Sequence, residues 1–131
     1  MIASRMVWVT FNFEGIHKYP AAAVTEGEGM MDVSFLSHPH RHTFHFKVWI
    51  EVFHNDRDIE FIQFKRWCQS QFGDDAVIQL NNNSCEMLAD KLQAAITERH
   101  PDREIWIEVS EDLENGTFIE YPVPIATGLL P

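Results

Sequence analysis

The sequence predicts an α+β fold: one four-stranded antiparallel sheet with two helices on one face, in the order β-β-α-α-β-β. Three observations predict it. Two alternating apolar segments occupy the first half of the chain, two segments with apolar residues three and four apart follow, and two more alternating segments close it around an Asn-Gly pair. At 131 residues a single domain spanning 1–131 is expected, with its core from about 7 to 121 and a tail at 122–131.

Val7, Val9, Phe11 and Phe13 share one face and Trp8, Thr10 and Asn12 the other, so 6–13 reads as a strand rich in β-branched and aromatic residues. Gly15 and Pro20 then predict a break in the ladder. His17 falls just past the strand end, from where a side chain can reach a neighbouring strand. Residues 21–37 have no sustained period and read as a long loop, the kind that is often functional in a compact domain. A second strand is expected from about His40 to His54, followed by a turn at Asn55–Asp58.

Phe61, Phe64, Trp67, Cys68 and Phe72 recur at helical spacing over Glu60–Phe72, with Gly73 as the stop. Asn81–Ser84 reads as a turn. Asn83 with Glu86 three residues later resembles a capping arrangement, and Leu88, Leu92, Ala95 and Ile96 form the stripe of a second helix that His100-Pro101 ends. Ile105, Ile107 and Val109 alternate with Trp106, Glu108 and Ser110 as a third strand. Asn115-Gly116 predicts a hairpin turn and 117–121 the returning fourth strand. The prolines of the tail keep it out of any central strand.

Twenty acidic residues against ten basic ones give a net charge of −10, which argues against a general nucleic-acid binder but leaves room for a small anionic ligand. No apolar run is long enough for a membrane span, and the first residues lack the signal-peptide pattern. Cys68 and Cys85 have no Cys-x-x-Cys spacing and suggest no disulfide framework, so a reduced, cytoplasmic protein is expected.

The chemistry concentrates in His38-Pro-His-Arg-His-Thr-Phe-His45, which holds four of the seven histidines. Residues two apart on a strand share a face, so His40 and His42 point the same way, roughly 7 Å apart along it. Two such imidazoles can close on one zinc ion, and a catalytic zinc site usually takes three protein ligands and a water. A solvated polar strand edge fits the same spacing, so a third ligand is needed to decide.

Several pieces, in this order, resemble the 6-pyruvoyl-tetrahydropterin synthase and 6-carboxytetrahydropterin synthase family, built on the T-fold. The family's opening Phe-x-Ala-Ala-His is similar to Phe11-Asn-Phe-Glu-Gly-Ile-His17, and its His-Gly-His to His40-Arg41-His42. Its Asp-Phe-x-x-Leu-Lys is similar to Glu60-Phe-Ile-Gln-Phe-Lys65. Its Leu-Asn and Pro-Thr-x-Glu-x-Leu-Ala are similar to Leu80-Asn81 and Asn83-Ser-Cys-Glu86-Met-Leu-Ala89, and its closing hairpin to Ile105–Tyr121. The resemblance spans about residues 7 to 121.

The resemblance implies a zinc ion held by His17, His40 and His42, which would act as a Lewis acid on the side-chain hydroxyls of a dihydropterin substrate. It further implies that Glu111 anchors the pterin ring, with Ser84 and Cys85 close by. The family's usual assembly, with active sites between chains, implies a homo-oligomer, a trimer or a dimer of trimers. The pattern also departs from the family. Leu36 stands where the family has its catalytic cysteine, Ser37 where a related subgroup has Glu, and Ala76-Val-Ile78 where the Asp-His catalytic pair belongs. Arg41 replaces the glycine between the zinc histidines. His38, on the loop side of the pair, is the candidate replacement for acid–base work. Two functions follow: a zinc-dependent lyase acting on a dihydroneopterin-type substrate with atypical acid–base residues, or a non-catalytic zinc- and pterin- or purine-binding module. A third reading is an oligomeric scaffold with a vestigial zinc site.

Overall fold

In the computed structural model, residues 3–23 and 31–123 are described. Strands β1 (Arg5–His17) and β2 (His40–Val52) come first, with two 3-10 helices, Pro20–Ala23 and Met31–Ser37, between them. Helix α1 (Phe61–Ser70), strand β3 (Val77–Asn81), helix α2 (Cys85–Arg99) and strands β4 (Ile105–Glu111) and β5 (Asn115–Tyr121) follow. The segment expected to be one long loop at 21–37 therefore carries 3-10 structure at both ends. Residues 24–30, and the tail from 124 onward, lie outside the described residues.

The sheet is five-stranded and mixed, in the order β3-β1-β2-β4-β5. This corrects the expected four-stranded antiparallel sheet and its β-β-α-α-β-β order. β1, β2, β4 and β5 are antiparallel neighbours, but β3 adds to the free edge of β1 in parallel, with Glu14 against Val77 and Ile16 against Gln79. Only Ile78 and Leu80 turn inward from β3. Two inward positions in five residues, between Asp74-Asp75 and three asparagines, are too few to register as a period.

Two glycines do something other than the sequence suggests. Gly15 leaves the ladder intact and pairs with His42. A Cβ there would lie 2.6 Å from Leu80 Cδ1 and 3.0 Å from the Phe44 ring, so the missing side chain is what lets β1, β2 and β3 close-pack. Gly116, expected in the hairpin turn, lies within β5, where a Cβ would stand 2.3 Å from the Val109 carbonyl oxygen. The turn itself falls three residues earlier. Asp112 (φ 56) and Leu113 (φ 61) take left-handed conformations, and the Glu114 amide donates to the Glu111 carbonyl at 3.0 Å.

One face of the sheet builds the core. Phe11, Phe13, Phe44, Phe46, Val48, Ile50, Ile105, Ile107 and Val109 are buried there, with the Phe11 and Phe46 rings stacked at 4.8 Å. Helix α1 adds Phe64 and Cys68, and α2 adds Leu88, Ala89, Leu92 and Ile96 to the same cluster. Both helices thus cover one face, as expected. Each fully buried Leu or Ile of this set contributes about 1.5–3 kcal/mol over its exposed state. Helix α2 begins at Ser84, whose hydroxyl accepts from the Met87 amide at 3.2 Å; Ser84, and not Asn83, is its cap. His100 ends it, as read from the sequence.

Candidate metal centre

The pairing of β1 with β2 sets His17 directly opposite His40. His42, two residues on, shares the face of His40, and on β4 Glu111 pairs with Phe44, the next residue on that face. Three strands thus deliver three imidazoles and a carboxylate to one end of the sheet. One ligand atom from each of His17, His40 and His42 lies within 4.8 Å of the others.

Each imidazole is held by its outer nitrogen. His17 Nδ1 donates to the Asn83 carbonyl at 2.8 Å, and His40 Nδ1 donates to the His38 carbonyl at 2.8 Å. His42 Nδ1 donates to the Asp112 carboxylate at 2.7 Å. A carbonyl only accepts, so the first two rings carry their proton on Nδ1 and turn the Nε2 lone pair toward the cluster. Metal-ligating histidines are commonly oriented in this way by a partner on the other nitrogen. Asp112 is itself fixed: its carboxylate accepts the Thr43 amide at 2.9 Å while its own amide donates to the Thr43 carbonyl at 2.8 Å.

Glu111 meets the inner side of the cluster. One carboxylate oxygen lies 3.1 Å from His17 Nε2 and the other 3.4 Å from His42 Nε2. His17 is buried, and its Nε2 finds no hydrogen-bond partner among the described residues. A bare imidazole lone pair facing a carboxylate oxygen at that distance is repulsive, so the arrangement calls for a positive charge between them. A proton can supply it, and so can a metal ion. Three convergent imidazoles beside a carboxylate are a donor set that zinc accepts, so the residues fit the ion. In the metal-free protein, burial works against charge on His17. Pairing with Glu111 and with the Asn83 carbonyl outweighs it and raises the imidazole pKa. The same pairing with His17, opposed by burial and helped by the charge of His42, holds the Glu111 carboxyl below its ordinary value. Asp112 is lowered by the Thr43 amide and then by His42.

A cavity of about 560 Å³ opens beside the cluster, within the usual range for a small-molecule site. His17, His40, Asn83 and Glu111 line it at the metal end, Tyr19 and Leu36 elsewhere. Ser84 and Cys85 line it as well. The Cys85 thiol lies 3.9 Å from Glu111, and burial, followed by the charges of Glu111 and Glu86, pushes its pKa up to about 12. Cys85 is therefore a neutral thiol and a poor nucleophile. His38 is exposed, contributes its carbonyl to His40, and is not among the residues lining the cavity. Of the positions that depart from the family pattern, Leu36 is part of the cavity wall, whereas Val77 and Ile78 belong to β3 at the sheet edge.

Sequence reasoning missed Asp112 and the Asn83 carbonyl. Asp directly after a strand, in a chain segment rich in turn formers, was the available signal for Asp112. The Asn-Gly pair drew the turn to the wrong place. The main-chain role of Asn83 has no side-chain signature at all.

In a comparison with known proteins, no family model matches the chain and no curated protein matches it significantly.

Proposed function

We propose that the chain is a zinc-dependent lyase of the 6-pyruvoyl/6-carboxytetrahydropterin synthase type, on a T-fold, acting on a dihydroneopterin-type substrate with atypical acid–base residues. The observation that carries this reading is the convergence of His17, His40 and His42, each backed by an acceptor on Nδ1, beside a cavity of about 560 Å³ that His17, His40 and Glu111 line. The resemblance to the family over residues 7–121 supplies the substrate class.

The ion would be held by His17, His40 and His42, and when bound it supplies Lewis acidity toward a substrate hydroxyl. The remaining work belongs to the chain. Asn83, the His38 carbonyl and Asp112 fix the imidazoles. The cavity wall around Tyr19, Leu36 and Met87 excludes water from one side of a flat ring. Glu111 presents two acceptor oxygens to an amidine-like edge, and Ser84 lies close by. His38, exposed and outside the cavity lining, is proposed to carry the proton from the loop side. Subunits joining into a trimer or a dimer of trimers would cover the open sheet edges and complete the site.

A second reading, a zinc- and pterin- or purine-binding module without turnover, is favoured by one observation. The cavity wall at Leu36 is aliphatic, and the thiol that lines the cavity stays protonated. Calorimetry with dihydroneopterin triphosphate on zinc-loaded protein, with chromatography of the products, separates the two. The lyase reading expects binding weakened about tenfold or more by Glu111→Ala, and slow turnover abolished by His38→Ala with binding intact. Binding without product favours the module, and absence of binding ends both pterin readings.

A further inference from the structure

We infer that Glu111 is a fourth protein ligand of the metal, so that the ion is closed off by protein until a small molecule displaces the carboxylate. This deepens the metal reading above, on which it rests, and stands without the pterin one.

The inference comes from the spacing of donor atoms. Zinc bonds of about 2.0–2.2 Å at a tetrahedral angle put neighbouring ligand atoms about 3.4 Å apart. One Glu111 oxygen stands 3.1 Å from His17 Nε2 and the other 3.4 Å from His42 Nε2, each a separation that two ligands of one ion can have. His17 Nδ1 already donates to a carbonyl, so the contact at 3.1 Å needs either a second proton on the ring or an ion shared by the two atoms, and among the described residues Nε2 has no hydrogen-bond partner. The carboxylate also straddles two imidazoles from different strands, His17 on β1 and His42 on β2, and not one.

No other described side chain competes for the position as well. Cys85 Sγ is 3.9 Å from Glu111, on the side of α2, and is a neutral thiol. Asp112 is occupied by His42 Nδ1 and the Thr43 amide, behind the ring it holds. The position of Glu111 in the chain makes displacement feasible. It is the last residue of β4, directly before the left-handed Asp112-Leu113 turn, and its side chain lies in the wall of the cavity from which a ligand would enter. A carboxylate with an oxygen on the ion cannot at the same moment present both oxygens to the edge of a bound ring. Ring anchoring by Glu111 therefore follows its release, and the two roles are successive.

The experiment uses the full chain loaded with cobalt(II) as an absorbing stand-in for zinc, with azide as the probe. Azide titrations of the wild type, Glu111→Ala and the near-isosteric Glu111→Gln are followed in the visible spectrum, and zinc affinity is measured by chelator competition. Circular dichroism checks that each variant is folded. The expected result is that azide binds the variants about tenfold or more tightly than the wild type, and that zinc affinity falls by about tenfold or more. Equal azide affinity and equal zinc affinity across the three proteins would overturn the inference while leaving a three-histidine metal site in place. A wild type that binds neither cobalt nor zinc would end the metal reading, and this inference with it.

Discussion

An imidazole that ligates through Nε2 is held in place by the partner of its Nδ1, and at His42 that partner is Asp112. Asp112→Ala should therefore lower zinc affinity by about 10- to 100-fold, a typical cost for losing such a partner. Asp112→Asn, which keeps an acceptor oxygen, should restore part of the loss; chelator competition reads both. Away from the site, the Asp58 carboxylate accepts from Arg103 at 2.9 Å and from the Phe53 amide at 2.8 Å. Arg103 first, and then that amide, hold its pKa below the ordinary carboxylate value. A folded-state pKa that is depressed adds stability above the unfolded value, and the gain is lost as pH falls through the folded one. Urea midpoints of the wild type should fall on acidification below about pH 4. Asp58→Asn should flatten that limb and lower the urea midpoint near neutrality by weakening the contact with Arg103. The three histidines were legible at this scale, because a strand period aligns His40 with His42 and the family resemblance adds His17. The Asp112 contact was not, since it depends on a left-handed turn conformation that the Asn115-Gly116 pair masks.

Strand β3 links the fold to the site. Its parallel pairing with β1 shifts register between Ile16 and His17, so that His17 aligns with Asn81, which takes a left-handed conformation (φ 54). The chain then turns, and the Asn83 carbonyl meets His17 Nδ1. Leu80 anchors this strand at 3% exposure. Leu80→Ala should cost about 2–5 kcal/mol by chemical denaturation, as buried leucines do. It should also weaken zinc binding in the folded protein, which a purely local cavity would not. Long elements were readable: β2 and α2 carry enough repeats for their period to show, and the expected ends of α2 fall within a residue or two of the observed ones. β3 was not readable, because its identity is decided by the free edge of β1 and by the gap that Gly15 leaves for Leu80, both contacts distant in sequence.

The whole sheet has one covered face and one open one. On the open face Trp8 is 54% exposed and Phe118 48%, and the Lys47 ammonium sits 4.4 Å from the centre of the Trp8 ring. Among the described residues β3 and β5 are the edge strands of the sheet, and proteins seldom leave such edges bare. The proposed T-fold assembly would cover them, and on that proposal light scattering at micromolar concentration finds a trimer or a dimer of trimers, whereas a monomer would contradict it. Among the described residues no helix is long and apolar enough to cross a membrane.

The three acceptors behind the imidazoles belong to three different connections: Asn83 between β3 and α2, His38 just before β2, and Asp112 in the turn between β4 and β5. An ion held by the three histidines would therefore cross-link segments far apart in sequence, and its binding energy would become resistance to local opening. On chelation these connections should lose protection from amide hydrogen exchange together, the Asp112 amide among them, while amides of Phe46 and Ile107 in the sheet centre stay slow. Metal occupancy would then be legible as a change in cooperativity, with three loops that open as one unit when loaded and separately when empty.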